Sequence, residues 1–311
     1  MQLHDFCNKI SAKKNVSKLS VDIIATEFIS FFHIPKFIKL PYLIKLCQNL
    51  GINEISGQTL PVTMRGYHQS YKGEHLIYFK NDDWIGGVEH TILHEIYEII
   101  IETLIKRSDE YAKFKTEHNA DHFAASILMP SEDFLSDVYT SSFDILDLQK
   151  KYVRGYASIL IKMKTVLTER LMFLGIIYEK VRFLKYRPNI LLNHPADDFI
   201  VTYRVRTPYI KAGKSHGRLL WCSVPRKGKT FEKDSVAENV FYRGQSVFRE
   251  KATGFDLFGH DDISVIGRPV HWKNELAKII VLGVPYKSQD LFKNQIDRLN
   301  PIFLLSARQV I

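Results

Sequence analysis

The sequence predicts an α+β protein in two parts. Residues 1–184 read as a mostly helical domain with a small β-hairpin, and residues 185–311 as an α+β domain with a largely antiparallel sheet. Three observations predict this division. Apolar residues recur at three- and four-residue spacing through much of the first part. Beyond about Leu184 the chain changes to short β-rich runs separated by turns rich in Gly, Pro and Asn. The charge changes at nearly the same place. Residues 1–180 carry 21 Lys/Arg against 22 Asp/Glu, a net of −1, whereas residues 181–311 carry 22 against 12, a net of +10.

The elements follow in order. Ser20 is a candidate N-cap for a helix ending near His33, since short hydroxyl side chains accept from the first free backbone N–H groups. Pro41 to Leu50 reads as a second helix, with Pro in its first turn and Gly51 as its stop. MRGYHQSY and EHLIYFK flank a Lys72-Gly73 turn and predict a hairpin. A long helix is expected from Val88 to Lys106 and another from Asp109 to Leu128, ended by Met129-Pro130. Ser131 with Glu132 and Asp133 marks the next helix start, and residues 144–180 read as a helical hairpin. In the second part FIVTYRV (199–205), RLLWCSV (218–224), AENVFYRG (237–244), ISVIGRPVHW (263–272) and KIIVLGVP (278–285) read as strands. Gln289 to Leu299 reads as a helix.

Composition narrows the function classes. The chain of 311 residues is 45% apolar and 25% charged, values ordinary for a globular protein. No apolar run approaches the roughly 18 to 20 residues of a bilayer span, and the N-terminus lacks a signal-peptide core. A cytoplasmic location without membrane association is the expectation. The three cysteines, Cys7, Cys47 and Cys222, form no CxxC pair and are expected as buried thiols. The basic second part suggests an acidic partner, with a solubilising surface as the alternative.

The chemistry is concentrated in HTILHEIYEII, residues 90–100. On a helix His94 and Glu98 share one face, and Glu95 is rotated by about 100° to one side. This is the pattern of an HExxH helix, in which two residues bind zinc and the glutamate between them activates water. Here Glu98 stands in place of the second histidine, and carboxylates also bind zinc. His90, one turn earlier, is a neighbour of the ligands or a substitute for one. The second informative segment is EHNADHFAASILMP, residues 117–130. Glu117, Ala120, Ala124 and Ala125 lie at helical spacing, so small residues would let two helices approach and bring Glu117 to the metal. Asp121 is expected to orient a histidine. His118 and His122 are surface residues or alternative ligands, and Tyr97 is expected in the core.

These two segments together resemble the ImmA/IrrE family of metallopeptidases. Its HExxH helix is followed by a helix reading ExxA[N/D]xFAAxLLMP, and this chain offers Glu117, Ala120, Asp121, Phe123, Ala124, Ala125, Leu128, Met129 and Pro130 at the matching places. The resemblance spans roughly residues 20–175. It implies a zincin-like domain in which His94, Glu98 and Glu117 bind the metal and Glu95 is the general base. The HExxE departure makes the ligand set harder and more anionic, which admits manganese or iron beside zinc and makes a bound water less acidic. Arg154 and Tyr156 fall where the family carries a helix lining the cleft, either as stabilisers of a developing oxyanion or as surface residues. The second part corresponds to a GAF-like sensor domain in one branch of the family.

The function expected is cleavage of a specific protein, a helix-turn-helix repressor, in a stress or phage-defence response. The alternative is a catalytically weak peptidase-fold regulator that binds a protein or nucleic acid. Cations interleaved with Tyr203, Tyr209, Trp221 and Phe231 suggest single-stranded DNA as an activator of the second domain, against a small acidic ligand.

Overall fold

Short polar caps start several helical segments of the first part. In this computed structural model α1 (Gln2–Ser11), α2 (Val21–Phe32) and α3 (Leu40–Leu50) open the chain. Ser20 Oγ accepts from Ile23 N at 3.3 Å, and His33 ends α2 in the left-handed region at φ 51°. Pro41 lies in the first turn of α3, and Gly51 closes it at φ 79°. The structure describes residues 2–13, 16–61, 63–167, 170–183, 195–206, 209–211, 214–216, 220–221, 231, 233–252, 263–299 and 304–305.

Three strands follow: β1 (Ile52–Gln58), β2 (Gly66–Tyr71) and β3 (Glu74–Lys80). Their order is β1-β3-β2, with β1 parallel and β2 antiparallel to β3. The β2–β3 hairpin turns through Lys72 at φ 49° and Gly73 at φ 84°, the two positive angles of a tight type I′ turn. β1 is an addition to the hairpin that the sequence pattern predicted.

The longest helix, α4 (Ile85–Ile105), is the centre of this part. It packs against α1, α3, β2, β3 and the later α5 (Glu117–Leu128). Its buried residues run round most of its circumference, as expected for a helix covered on several sides. Gly66 sets its distance from β2. A Cβ there would lie 2.3 Å from Thr91 Cγ2 and 2.6 Å from the Tyr78 carbonyl oxygen. Gly66→Ala is therefore expected to push β2 off α4 at a cost of about 1–3 kcal/mol in urea unfolding. An unchanged unfolding midpoint would show that this contact is not required.

The helix expected over Asp109–Leu128 is broken in two. Ser108 caps a 3-10 segment at Asp109–Phe114, and Thr116 caps α5, its Oγ1 accepting from Asn119 N at 3.2 Å. Two competing caps, Ser108 and Thr116, favour two short elements over one long one. Ala120 and Ala124 are fully buried on α5, which packs on α2 and α4. Phe6, Phe28 and Phe123 join α1, α2 and α5 through ring contacts of 5.4 and 5.3 Å.

Next come α6 (Ser131–Thr140), α7 (Ile145–Tyr152) and α8 (Tyr156–Leu167). The helical hairpin expected over 144–180 ends early, because Leu174–Lys180 is a strand, β4. The remaining elements are β5 (Phe199–Arg206), β6 (Tyr209–Lys211), β7 (Lys214–His216), β8 (Leu220–Trp221), α9 (Val236–Arg243), β9 (Val247–Ala252), β10 (Ile263–Trp272), β11 (Glu275–Pro285), α10 (Lys293–Ile296) and β12 (Leu304–Leu305). A seven-stranded sheet has the order β12-β9-β10-β11-β4-β5-β8 and is antiparallel except at the β12–β9 pair. The architecture is α+β, as the sequence pattern predicts.

Two expectations are corrected here. AENVFYRG, predicted as a strand, is helix α9. Ser235 Oγ accepts from Glu238 N at 3.1 Å, the Glu238 carboxylate accepts from Asp234 N, and Gly244 ends the helix at φ 65°. The helix predicted over Gln289–Leu299 is divided between the end of a 3-10 segment, Tyr286–Phe292, and the short α10.

The domain boundary also moves. The chain divides into a first unit, Met1–Asp133 with Lys150–Gly155, and a second, Phe134–Gln149 with Tyr156–Ile311. The expected division at 184/185 would cut β4 from its neighbours β11 and β5, whose hydrogen bonds hold it in the second unit's sheet. In that unit α9 packs on β9, β10 and β11. Phe231 is partly buried and packs against this core. Its ring lies 5.1 Å from Tyr178, 5.9 Å from Phe199 and 5.6 Å from Phe241, which removes it from the proposed base-stacking set. The side chains of Tyr203, Tyr209 and Trp221 lie outside the described residues, as does Cys222. Cys7 and Cys47 are buried free thiols, and burial pushes both up to about 12. Among the described residues no helix is long and apolar enough to cross a membrane.

Candidate metal centre

Period-four spacing on α4 sets His90, His94, Glu98 and Glu102 in one polar stripe on a helix that is otherwise largely buried. Facing this stripe are the first turns of α5 and the edge strand β2. His94, Glu98 and Glu117 converge. One donor atom from each lies within 4.8 Å of the others. His94 Nε2 is 3.8 Å from Glu98 Oε1 and 3.4 Å from Glu117 Oε2. Ligands about 2.1 Å from a tetrahedral metal stand roughly 3.4 Å apart, so these spacings fit a small divalent ion with little movement. Three protein ligands leave a fourth position open, as catalytic sites require.

Asp121, on the second turn of α5, faces His94. Its Oδ1 lies 3.1 Å from His94 Nδ1, so a proton there is donated to Asp121 and Nε2 is turned toward Glu98 and Glu117. The same oxygen lies 3.0 Å from His90 Nε2. His90 is thus tied to Asp121, although His90, His94 and Asp121 themselves form a second group able to hold a cation. Burial works against a charged His94, but Asp121, Glu95 and Glu98 outweigh it and raise its pKa. Burial works against the charged form of Asp121 also, and the two histidines outweigh it, holding the carboxyl well below its usual range. Glu98 is raised by burial and then by the neighbouring Glu95. A bound cation would displace the His94 proton and relieve the crowding of carboxylates.

Glu95 is buried, as a base shielded from bulk water requires. Its partner was not singled out in the sequence. His68 Nδ1 on β2 lies 2.9 Å from Glu95 Oε2, 3.4 Å from Glu98 Oε2, and its Nε2 lies 3.3 Å from Glu102 Oε2. The one available signal was strand alternation, which puts Gly66 and His68 on the same face of β2. Burial works against a charged His68, but hydrogen bonding to Glu95 and the charge of Glu102 raise its pKa.

The remaining residues are placed elsewhere. His122 Nε2 pairs with Asp22 Oδ1 at 2.8 Å, and His118 stands 6.4 Å from it, ring to ring. Neither belongs to a metal-binding group among the described residues. Tyr97 is in the core, its hydroxyl donating to the Phe114 carbonyl at 3.0 Å. Arg154 is neither on the surface nor in the cluster. It is 5% exposed, with one terminal nitrogen 2.7 Å from Glu89 Oε2 and the other 2.8 Å from the Gly86 carbonyl. With both committed to the first turns of α4, the oxyanion role expected for it does not stand. Tyr156 begins α8 in the second unit, where burial first and Asp144 second raise its pKa; it is in none of the metal-binding groups.

No protein-family model matches the chain, and no curated protein matches it. Among solved structures, a transcriptional regulator from Mycobacterium tuberculosis aligns over 98% of this chain and 88% of its own, with a TM-score of 0.54 at 12% sequence identity. At that identity the likeness is one of fold: this chain is similar in α+β architecture to that regulator.

Proposed function

We propose that the chain is a metal-dependent endopeptidase of the ImmA/IrrE type that cleaves a helix-turn-helix repressor in the cytoplasm, as part of a stress or phage-defence response. The observation that carries the reading is the convergence of His94, Glu98 and Glu117 beside a buried Glu95. A bound zinc, or manganese or iron given the two carboxylates, would supply the positive charge that polarises a scissile carbonyl and acidifies water. Asp121 orients His94. Glu95 takes the proton from the attacking water and returns it to the leaving amine. Among the described residues β2 pairs only with β3, so an extended substrate segment has a free edge on which to add backbone hydrogen bonds beside the cluster. The name of the M. tuberculosis structure supports a place in transcription regulation. The mixed sheet and helices of the second unit support a GAF-like sensor, which takes either a small acidic ligand or single-stranded DNA.

A second reading, a peptidase fold kept as a binding module, is favoured by Glu98 alone. The test is the appearance of new protein N-termini, by mass spectrometry, in cells making the protein. Cleavage that a chelator stops and zinc restores supports the peptidase. The same set of N-termini with and without the protein sinks it. Glu98→His, which supplies a softer neutral ligand and leaves more charge on the metal, is expected to tighten zinc binding several-fold by calorimetry. Unchanged or weaker binding would remove Glu98 from the ligand set.

A further inference from the structure

We infer that His68 is a positioning residue for Glu95, which links the edge strand β2 to the proton-transferring carboxylate; the inference rests on the assignment of Glu95 made above. The strand dictates the contact. Gly66 lets β2 lie directly on α4 at Thr91, and the pleat returns the same face two residues later at His68. The imidazole is then held at both nitrogens. Nδ1 lies 2.9 Å from Glu95 Oε2, and Nε2 lies 3.3 Å from Glu102 Oε2.

Glu102 is anchored in turn by Lys115 Nζ at 2.9 Å, from the segment that leads into α5. Lys115, Glu102, His68 and Glu95 thus form a continuous chain across three elements. The ring and the Glu95 carboxylate are both nearly buried, at 10% and 7% side-chain exposure, so neither has room to swing. His68 ties Oε2 of Glu95, which assigns Oε1 to the water. A ring fixed at both ends sets the direction of that oxygen, and misplacement of a reacting group by about 1 Å costs rate by about 10²-fold. His68 also stands on the strand where a substrate segment would pair, so the base and the substrate share one support.

The test uses the full chain loaded with zinc and p-nitrophenyl acetate, an activated ester that needs no specific recognition. His68→Ala is expected to lower kcat by about 10²-fold with KM and zinc affinity little changed. His68→Asn, whose amide N–H stands near the position of ring Nδ1, is expected to recover most of that loss. Three outcomes overturn the positioning role. His68→Ala turns over as fast as the wild type; His68→Ala loses zinc, which makes the ring a ligand; or His68→Asn is no better than His68→Ala, which makes it packing alone. A wild type no faster than His94→Ala overturns the hydrolase reading itself, and it is recognised by the absence of any difference among the variants.

Discussion

On the proposed peptidase function, Glu95→Gln is expected to abolish proteolysis while the protein still folds and still binds metal. General-base catalysis contributes about 10²–10⁴-fold, and an amide of the same shape cannot accept the proton. The substitution keeps the hydrogen bond from His68 Nδ1, because the amide oxygen remains an acceptor at the position of Oε2. It also leaves His94, Glu98 and Glu117 in place. Turnover and zinc affinity measured on the same preparation separate the two effects. A variant that produces the same new N-termini at the wild-type rate shows that Glu95 is not the base. A variant that loses zinc shows that Glu95 is a ligand; His68, Glu95 and Glu98 also bring one donor atom each within 4.8 Å of one another.

The largest effect on stability is expected at Arg154. Its guanidinium is the charged partner of a buried Glu89, and the other Glu89 oxygen already accepts from Leu40 N at 3.0 Å. Burial first, opposed by Glu89, lowers the Arg154 pKa, which marks how far the pair has left water. The Arg154 Nε is buried without a hydrogen-bond partner, so the pair is incompletely satisfied. Arg154→Ala leaves the Glu89 carboxylate uncompensated, at a cost of about 3–5 kcal/mol in urea unfolding. That is a large share of the roughly 5–15 kcal/mol of a typical domain. Replacing both residues by Met should recover much of the loss, since apolar pairs of similar volume often substitute well. A loss below about 1 kcal/mol for Arg154→Ala would show that water reaches Glu89.

The helix of the candidate metal centre was legible because its information is local. His94, Glu95 and Glu98 lie within five residues, and helical geometry alone sets which of them face together. Glu117 was legible through the alanines that share its helix, and Asp121 through its place one turn later. His68 was not, because 27 residues and a change from strand to helix separate it from Glu95. Strand alternation says which face a residue takes, but not what lies against that face.

The misread elements have different causes. LGIIYEK is a short apolar run that suits a buried strand or a helix equally, and pairing with β11 and β5 decides it. AENVFYRG was read by its β-forming side chains. The stronger signal was at its ends, where Ser235 Oγ accepts from Glu238 N, the Glu238 carboxylate accepts from Asp234 N, and Gly244 supplies the left-handed stop. The division at residue 184 followed the change to short β-rich runs and, beside it, the charge, which reports on surfaces. The sheet takes β4 from the near-neutral side of that line, so electrostatic texture and folding unit do not coincide.

Thr116 has a consequence for how quickly the site could load and empty. By capping α5 it makes Glu117 the first residue of that helix, with a side chain 85% exposed, whereas His94 and Glu98 are 14% and 20% exposed. Two donors are therefore held on a rigid wall, and the third is a latch hinged at a helix end. On the metallopeptidase reading, Glu117 would close last on association and open first on release. Its hinge, rather than the affinity of the half-buried pair, would then set the exchange lifetime of the ion.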